Sequence, residues 1–266
     1  MLGKIWKAIV AWFLKWGSPK WFYEQSKIWS LISGVLATAM ISGAFIYGVF
    51  YSPLETKGHA SRIIFMHVPS ASLSMSMYFA MAMMGLIALV WKMKMASVVL
   101  KATAQVGAGF SVVMFVTGAI WGQAAWGQGV IWDPRLISAA ALILLYFGIL
   151  ALYYAIDSHN QADQSVAVLA ICTVVIVFLI KFAVSFNDNE MASIHQSSSS
   201  LYSGDESAVD WHYLAPLLTA IFGFYLMGMS LVLRQARVEI LVRNRTSKWG
   251  QTLFDKELNT VNKQEK

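Results

Sequence analysis

Charge is scarce in this chain. Only 13% of its 266 residues are Asp, Glu, Lys or Arg, where soluble domains carry about one quarter. That scarcity excludes an ordinary water-solvated domain. Cysteine is nearly absent too: the one example, Cys172, rules out an internal disulfide and every CxxC, zinc or iron–sulfur pattern. It lies in the middle of an apolar run and is expected as a small buried apolar side chain. No G-x-x-x-x-G-K-[ST], Walker or Rossmann pattern occurs, so any ATP chemistry must belong to a partner. No Ser/His/Asp order suggests hydrolysis, internal repeats are not evident, and no nucleic-acid partner is expected. Lys4 and Lys7 precede no cleavage-type small-residue site, so the expectation is that no signal peptide is removed.

What the chain has instead is apolar length. Hydrophobic residues make up 58% of it, gathered into long runs with the charges between them, as expected where lipid is the solvent. The fold class is therefore all-α: a polytopic membrane protein, a bundle of six transmembrane helices. The spans are expected at about Ile28–Phe50, His67–Trp91, Ala102–Ile120, Leu136–Ile156, Ser165–Phe186 and Trp211–Leu233. Residues 1–27 read as an N-terminal segment with an amphipathic interfacial helix over 2–16, ended by Gly17–Ser18–Pro19. Residues 28–233 form the membrane domain, and 234–266 a basic tail ending in solvent. Sixteen of the 20 Lys and Arg fall in the two terminal segments and the 92–101 turn. The positive-inside rule then puts both termini in the cytoplasm. The opposite side receives the 51–67 loop, the 187–210 loop and the stretch between spans three and four.

That stretch, W-G-Q-A-A-W-G-Q-G-V-I-W-D-P-R-L over 121–136, is the most unusual in the chain. Trp121, Trp126 and Trp132 with intervening glycines offer flat rings and a backbone that a ligand can approach closely. Tryptophans also gather at membrane interfaces without binding anything. Asp133 reads best as the cap of a helix beginning near Pro134. Arg135 and Arg62 are then free to face a ligand carboxylate.

His67, at the outer end of span two, and His195, in the long outer loop, could approach opposite faces of one flat ligand. A porphyrin iron asks for two such nitrogen donors and a wide aromatic surface. The residues alone leave open that His67 is a capping or interfacial side chain and His195 a solvated one. His59 is a spare ligand or nothing, His212 is most simply an interface anchor, and His159 is excluded by its cytoplasmic position. The methionines of span two (Met75, Met77, Met81, Met83, Met84) mix faces and are read as packing. Gly34, Gly43, Gly48, Gly107, Gly109 and Gly118 are read as sites of close helix contact.

With the six-span plan, R-I-I-F-M-H-V-P at 62–69, W-G-x-x-x-W-G at 121–127, W-D-x-R-L at 132–136 and the outer His195, the chain resembles the haem exporter protein C family of cytochrome c maturation. The likeness covers roughly Ile28 to Leu233. It implies that His67 and His195 are the axial ligands of haem b, and that the stretch with Trp121, Trp126 and Trp132 holds the porphyrin; Asp133, Arg135 and Arg62 are the supporting residues read from the chain itself. It implies a bacterial inner-membrane protein whose haem site faces the periplasm and presents haem to a membrane-anchored periplasmic haem chaperone. It further implies an ABC-type ATPase with its membrane subunit, and a small single-span subunit, as partners. Such a protein works by holding two reactants together, with no acid, base or nucleophile of its own assigned. The chain departs from the family pattern at Gly129 and Val130, where tryptophan is usual, and at Ile137, where threonine is usual; weaker retention or a different tilt of haem is expected. The competing readings are a cytochrome c synthase acting directly on apocytochrome, typically longer with more spans, and a structural subunit that binds no cofactor.

Overall fold

The computed structural model describes residues 17–52, 58–127, 134–182 and 211–255, together with Gly3, Trp6, Val10 and Lys15. Six helices among them are long and apolar enough to cross a membrane, and no β-strand occurs among the described residues. The expected all-α, six-span plan holds. Its elements are α1 (Pro19–Phe50), a 3-10 turn (His59–Ile63) running into α2 (Ile64–Trp91), α3 (Lys94–Trp126), α4 (Pro134–Ala155), α5 (His159–Thr173), α6 (Val175–Phe182) and α7 (Trp211–Asn244). Helices α5 and α6 form one span, interrupted only at Val174.

The helices outrun the apolar segments that announce them. Helix α1 begins at Pro19, where Ser18 accepts from the Trp21 amide and proline occupies the first turn, a position where its missing N–H costs nothing. The turn expected over 91–101 shrinks to Lys92 and Met93. Lys92 adopts the left-handed conformation (φ 54°) that closes α2. Span three continues past Ile120 through Trp126, so the first two tryptophans of the unusual stretch stand on a helix rather than in a connecting loop. Helix α7 likewise continues to Asn244, with Ala236, Glu239 and Ile240 buried. The basic tail expected from Arg234 onward thus begins as a continuation of α7. Hydropathy marks the part of a helix that meets lipid, whereas backbone hydrogen bonding persists for as long as neighbours cover the helix.

Helices α2 and α3 form the centre. The most apolar window of the α3 span is 50% buried, against 17% in the α5–α6 span and 22% in α1, so the latter two are peripheral. One core joins α2, α3, α4 and α5 through Tyr78, Met81, Leu100, Leu142, Tyr146, Ile149 and Val166. Tyr146 donates to the Ser74 carbonyl at 2.7 Å, and its ring fills the space left by Gly107. A second core, with Phe22, Tyr23, Met95, Ala102, Ala236 and Ile240, joins α1, α3 and α7. Of the glycines read as close contacts, Gly34, Gly48, Gly107 and Gly118 meet a neighbour, whereas Gly43 and Gly109 face open space. Met77 and Met81 are buried and Met75 and Met84 pack against the core, in keeping with a packing role; Met83 is exposed. Cys172 is exposed, which corrects its expected burial. In a lipid-facing helix an apolar side chain has no reason to turn inward.

Where α3, α5 and α7 meet, four charges form one network. Lys101 lies 3.0 Å from Glu239, and Arg243 lies 2.6 Å from both Glu239 and Asp163. Lys101 also stands over the Tyr153 ring at 5.4 Å from its centroid. Because successive spans alternate in direction, this network and His159 lie at the opposite end of the bundle from His67. That separation agrees with excluding His159 from any site containing His67.

Candidate functional site

The other end collects the close of α1 and α3, the start of α2, α4 and α7, and the close of α6. The 183–210 segment joins α6 to α7, so both of its attachment points belong to this end. The junction is tied by polar contacts. Tyr213 donates to the Ser61 carbonyl at 3.1 Å, Ser52 donates to the His212 carbonyl at 2.8 Å, and Tyr47 meets His212 Nδ1 at 2.8 Å. Phe65, Tyr213 and Leu217 pack beneath them. His212 is thus a clasp between α1 and α7, in addition to its place at a span's end.

His67 is in the first turn of α2, one turn after Arg62 and two residues before Pro69. Its ring lies against α3. Nδ1 is 3.0 Å from the Met114 carbonyl oxygen and 3.0 Å from Thr117 Oγ1. A carbonyl only accepts, so the proton sits on Nδ1, and the neutral ring carries its lone pair on Nε2. Nε2 makes no hydrogen bond to any described residue. An imidazole anchored through one nitrogen with the other left free is the arrangement of a metal-ligating histidine, whose second nitrogen fixes tautomer and aim. The capping reading of His67 loses ground accordingly: its ring bonds to a different helix and caps nothing in its own.

Met114, Thr117, Gly118 and Trp121 follow the spacing that stacks side chains on one helix face. Trp121 therefore stands about 4.5 Å farther along the α3 axis than Gly118, at 1.5 Å per residue, on the face that His67 meets. Arg62, in the 3-10 turn, donates from Nη1 to His59 Nδ1 at 3.0 Å. His59 is thereby engaged as an acceptor rather than offered as a spare ligand through Nδ1. The Arg62 Nε is buried and has no hydrogen-bond partner among the described residues. A buried guanidinium N–H without an acceptor is costly, and a carboxylate is the acceptor it suits best.

The structure thus gathers His67, Arg62 and Trp121 at one end of the bundle. Trp126 closes α3 and Arg135 follows Pro134 in α4, but their side chains lie outside the described residues. His195, Trp132 and Asp133 lie outside them altogether, as do Gly129 and Val130. Ile137 is in the first turn of α4 and exposed. Two neighbours of His67 carry no functional signal of their own in the sequence: Thr117 has none, and Gly118 counts only among helix contacts. What could have found them is their placement four and three residues before Trp121, on the same helix face. Among the described residues no group of His, Cys, Asp or Glu could enclose a bare metal ion, so His67 would need a metal whose other ligands arrive with it or from outside these residues.

Comparison with known proteins agrees in direction. Residues 12–251 match the model of the family described as heme exporter protein C. The chain is 32% identical over 243 residues to the heme exporter protein C of Haemophilus influenzae, covering 91% of this chain and 97% of that one. It is 34% identical over 227 residues to the protein of the same name from Escherichia coli K12 (85% and 88%). With the Bradyrhizobium diazoefficiens protein it shares 35% identity over 208 residues (78% and 77%).

Proposed function

The chain belongs to the haem exporter protein C family, and we propose that it holds haem at the periplasmic face of the inner membrane and presents it to a membrane-anchored haem chaperone. Haem handling for cytochrome c maturation is what the family does, and this chain is a multi-pass membrane protein of that kind. The finer reading assigns His67 and His195 as axial ligands of haem b. In the same reading Trp121, Trp126 and Trp132 are the platform, with Asp133, Arg135 and Arg62 in support and the two arginines receiving the propionates. The partners proposed are the chaperone, an ABC-type ATPase with its membrane subunit, and a small single-span subunit.

One observation carries the reading: the His67 ring gives its Nδ1 proton to the Met114 carbonyl and keeps Nε2 free of any hydrogen bond to the described residues. That is the donor chemistry a porphyrin iron requires, and the Arg62 Nε, without a hydrogen-bond partner among the described residues, supplies a complement to a propionate. Iron in haem brings four ring nitrogens with it, which is why no further protein ligand cluster is needed at His67. This chain's residues then orient the ring plane, keep one nitrogen unprotonated and hold the cargo where a second protein can reach it, which raises the rate by placement. The 16 basic residues near the termini and the 92–101 turn support a cytoplasmic tail end, and so a periplasmic His67 end.

The test is the absorbance spectrum of detergent-purified protein co-expressed with the chaperone, beside His67→Ala and His195→Ala at matched protein levels. A Soret band in the parent that either substitution shifts or abolishes is the expected result. A colourless parent in the presence of ample haem, or a spectrum indifferent to both substitutions, contradicts the ligand assignment and leaves a structural subunit in its place.

A further inference from the structure

We infer that Thr117 and Gly118 of α3 are positioning residues for the His67 ring, fixing which nitrogen faces the iron and in what plane. This rests on the haem reading of His67. Donors are few at this point of α3. The Thr117 hydroxyl has one proton, and it points back to its own helix, with the Val113 carbonyl at 2.6 Å and the Met114 carbonyl at 3.1 Å. Such back-bonding is ordinary for threonine in apolar helices, and taken alone it would make Thr117 merely a satisfied side chain. But it leaves the oxygen's lone pairs free to accept, and the His67 Nδ1 is 3.0 Å away.

The Nδ1 proton is therefore shared between two acceptors, the Met114 carbonyl and the Thr117 oxygen. Moving it to Nε2 would set the Nδ1 lone pair against the lone pairs of a carbonyl. It would also break the hydroxyl contact or force that hydroxyl to give up its helix carbonyls. The alternative tautomer is thus disfavoured twice over, and the second disfavour comes from Thr117.

Gly118 acts on orientation. A Cβ at this position would come within 3.0 Å of the His67 ring carbon Cε1, with Nδ1 at 3.6 Å and Nε2 at 4.0 Å. The Cε1 edge of the ring thus lies close against the bare backbone of α3, in the volume that any other residue would occupy. Alanine there would push the ring by a few tenths of an ångström and loosen the shared Nδ1 bond. Thr117 and Gly118 are consecutive, so one turn of α3 supplies both the acceptor and the clearance, one turn before Trp121. A metal-ligating histidine is commonly aimed by the groups that hydrogen-bond its other nitrogen, and disturbing them typically costs about 10–100-fold in metal affinity.

The experiment uses full-length protein co-expressed with its chaperone, comparing Thr117→Val, Thr117→Ser and Gly118→Ala with the parent and with His67→Ala. Haem occupancy and the ferric electron paramagnetic resonance g-values, which report imidazole plane and ligand strength, are read at matched protein level. The haem-free protein, labelled with nitrogen-15 at histidine, reports the tautomer independently. Thr117→Val and Gly118→Ala should each lower occupancy by about tenfold or more and shift the g-values, with Thr117→Ser restoring the parental spectrum. The haem-free Thr117→Val protein should show a mixture of His67 tautomers where the parent shows only protonated Nδ1. If His67→Ala loses haem while Thr117→Val and Gly118→Ala keep parental occupancy, g-values and tautomer, the inference is overturned and the ligand assignment stands. It is overturned as well if Thr117→Ser fails to restore what Thr117→Val loses. If the parent carries no haem, or His67→Ala carries as much as the parent, the haem reading itself fails and takes the inference with it.

Discussion

The two ends of this bundle treat their polar groups in opposite ways. At the end where α7 closes, Lys101, Glu239, Arg243 and Asp163 are within 3.0 Å of their partners, so each charge has a counter-charge. At the other end, among the described residues, Arg62 leaves a buried Nε without an acceptor, and His67 bonds through one nitrogen only. Buried polar groups in a folded protein are nearly always satisfied. A closed network is therefore structure, holding three spans in register. The Gln105 Oε1, one turn of α3 after Lys101, is also buried without a partner among the described residues, so the contrast concerns the charged groups and His67: those at the open end are what remains when a bound partner supplies the missing half.

That contrast can be broken from either side. The largest effect should come from Arg243→Met, which strands Asp163 at low exposure and leaves Glu239 with Lys101 alone. Removing one partner of a buried ion network costs about 3 kcal/mol or more, so thermal unfolding in detergent should occur well below the parental temperature. Because this end holds no part of the proposed site, the haem that remains on folded protein should keep its parental spectrum. A spectral change in Arg243→Met would mean that the two ends are not separate in function.

Arg62→Gln tests the open end more gently. It removes the charge but keeps a donor, so haem should be held several-fold less tightly, on the order of 1 kcal/mol for one charge-assisted bond, with the Soret position unchanged. A stability loss larger than that of Arg243→Met would make Arg62 a structural residue. The smallest effect is expected from Tyr47→Phe, which deletes the exposed contact with His212. Its cost should be about 0.5 kcal/mol, with haem occupancy unchanged. A marked loss of haem there would extend the site to the α1–α7 clasp.

Much of this is legible in the residues. Six apolar runs predict six spans, and R-I-I-F-M-H-V-P with the tryptophan stretch singles out His67, Arg62 and Trp121. What stays hidden depends on which helix faces which. Thr117 bears on His67 only because α2 lies against α3, and no periodicity within one helix encodes that pairing. Arg243 and Glu239 read as part of a basic, polar tail because charge ends a hydropathy run, although four charges that neutralise one another carry a helix onward under cover. Cys172 is expected inside because burial and apolarity coincide in water; in lipid they do not. Trp132, Asp133 and His195 stand where the sequence puts them, as proposals, outside the described residues.

The central claim is that His67 lends its free Nε2 to haem iron, and chemical rescue tests it most directly. His67→Ala protein, purified with its chaperone, is titrated with imidazole while the Soret band and bound haem are followed. Loss of haem or a shifted band in the variant, reversed toward the parental spectrum by imidazole, is the predicted result, since the free base supplies the nitrogen that the substitution removes. Folded His67→Ala protein that keeps the parental spectrum without imidazole would contradict the account.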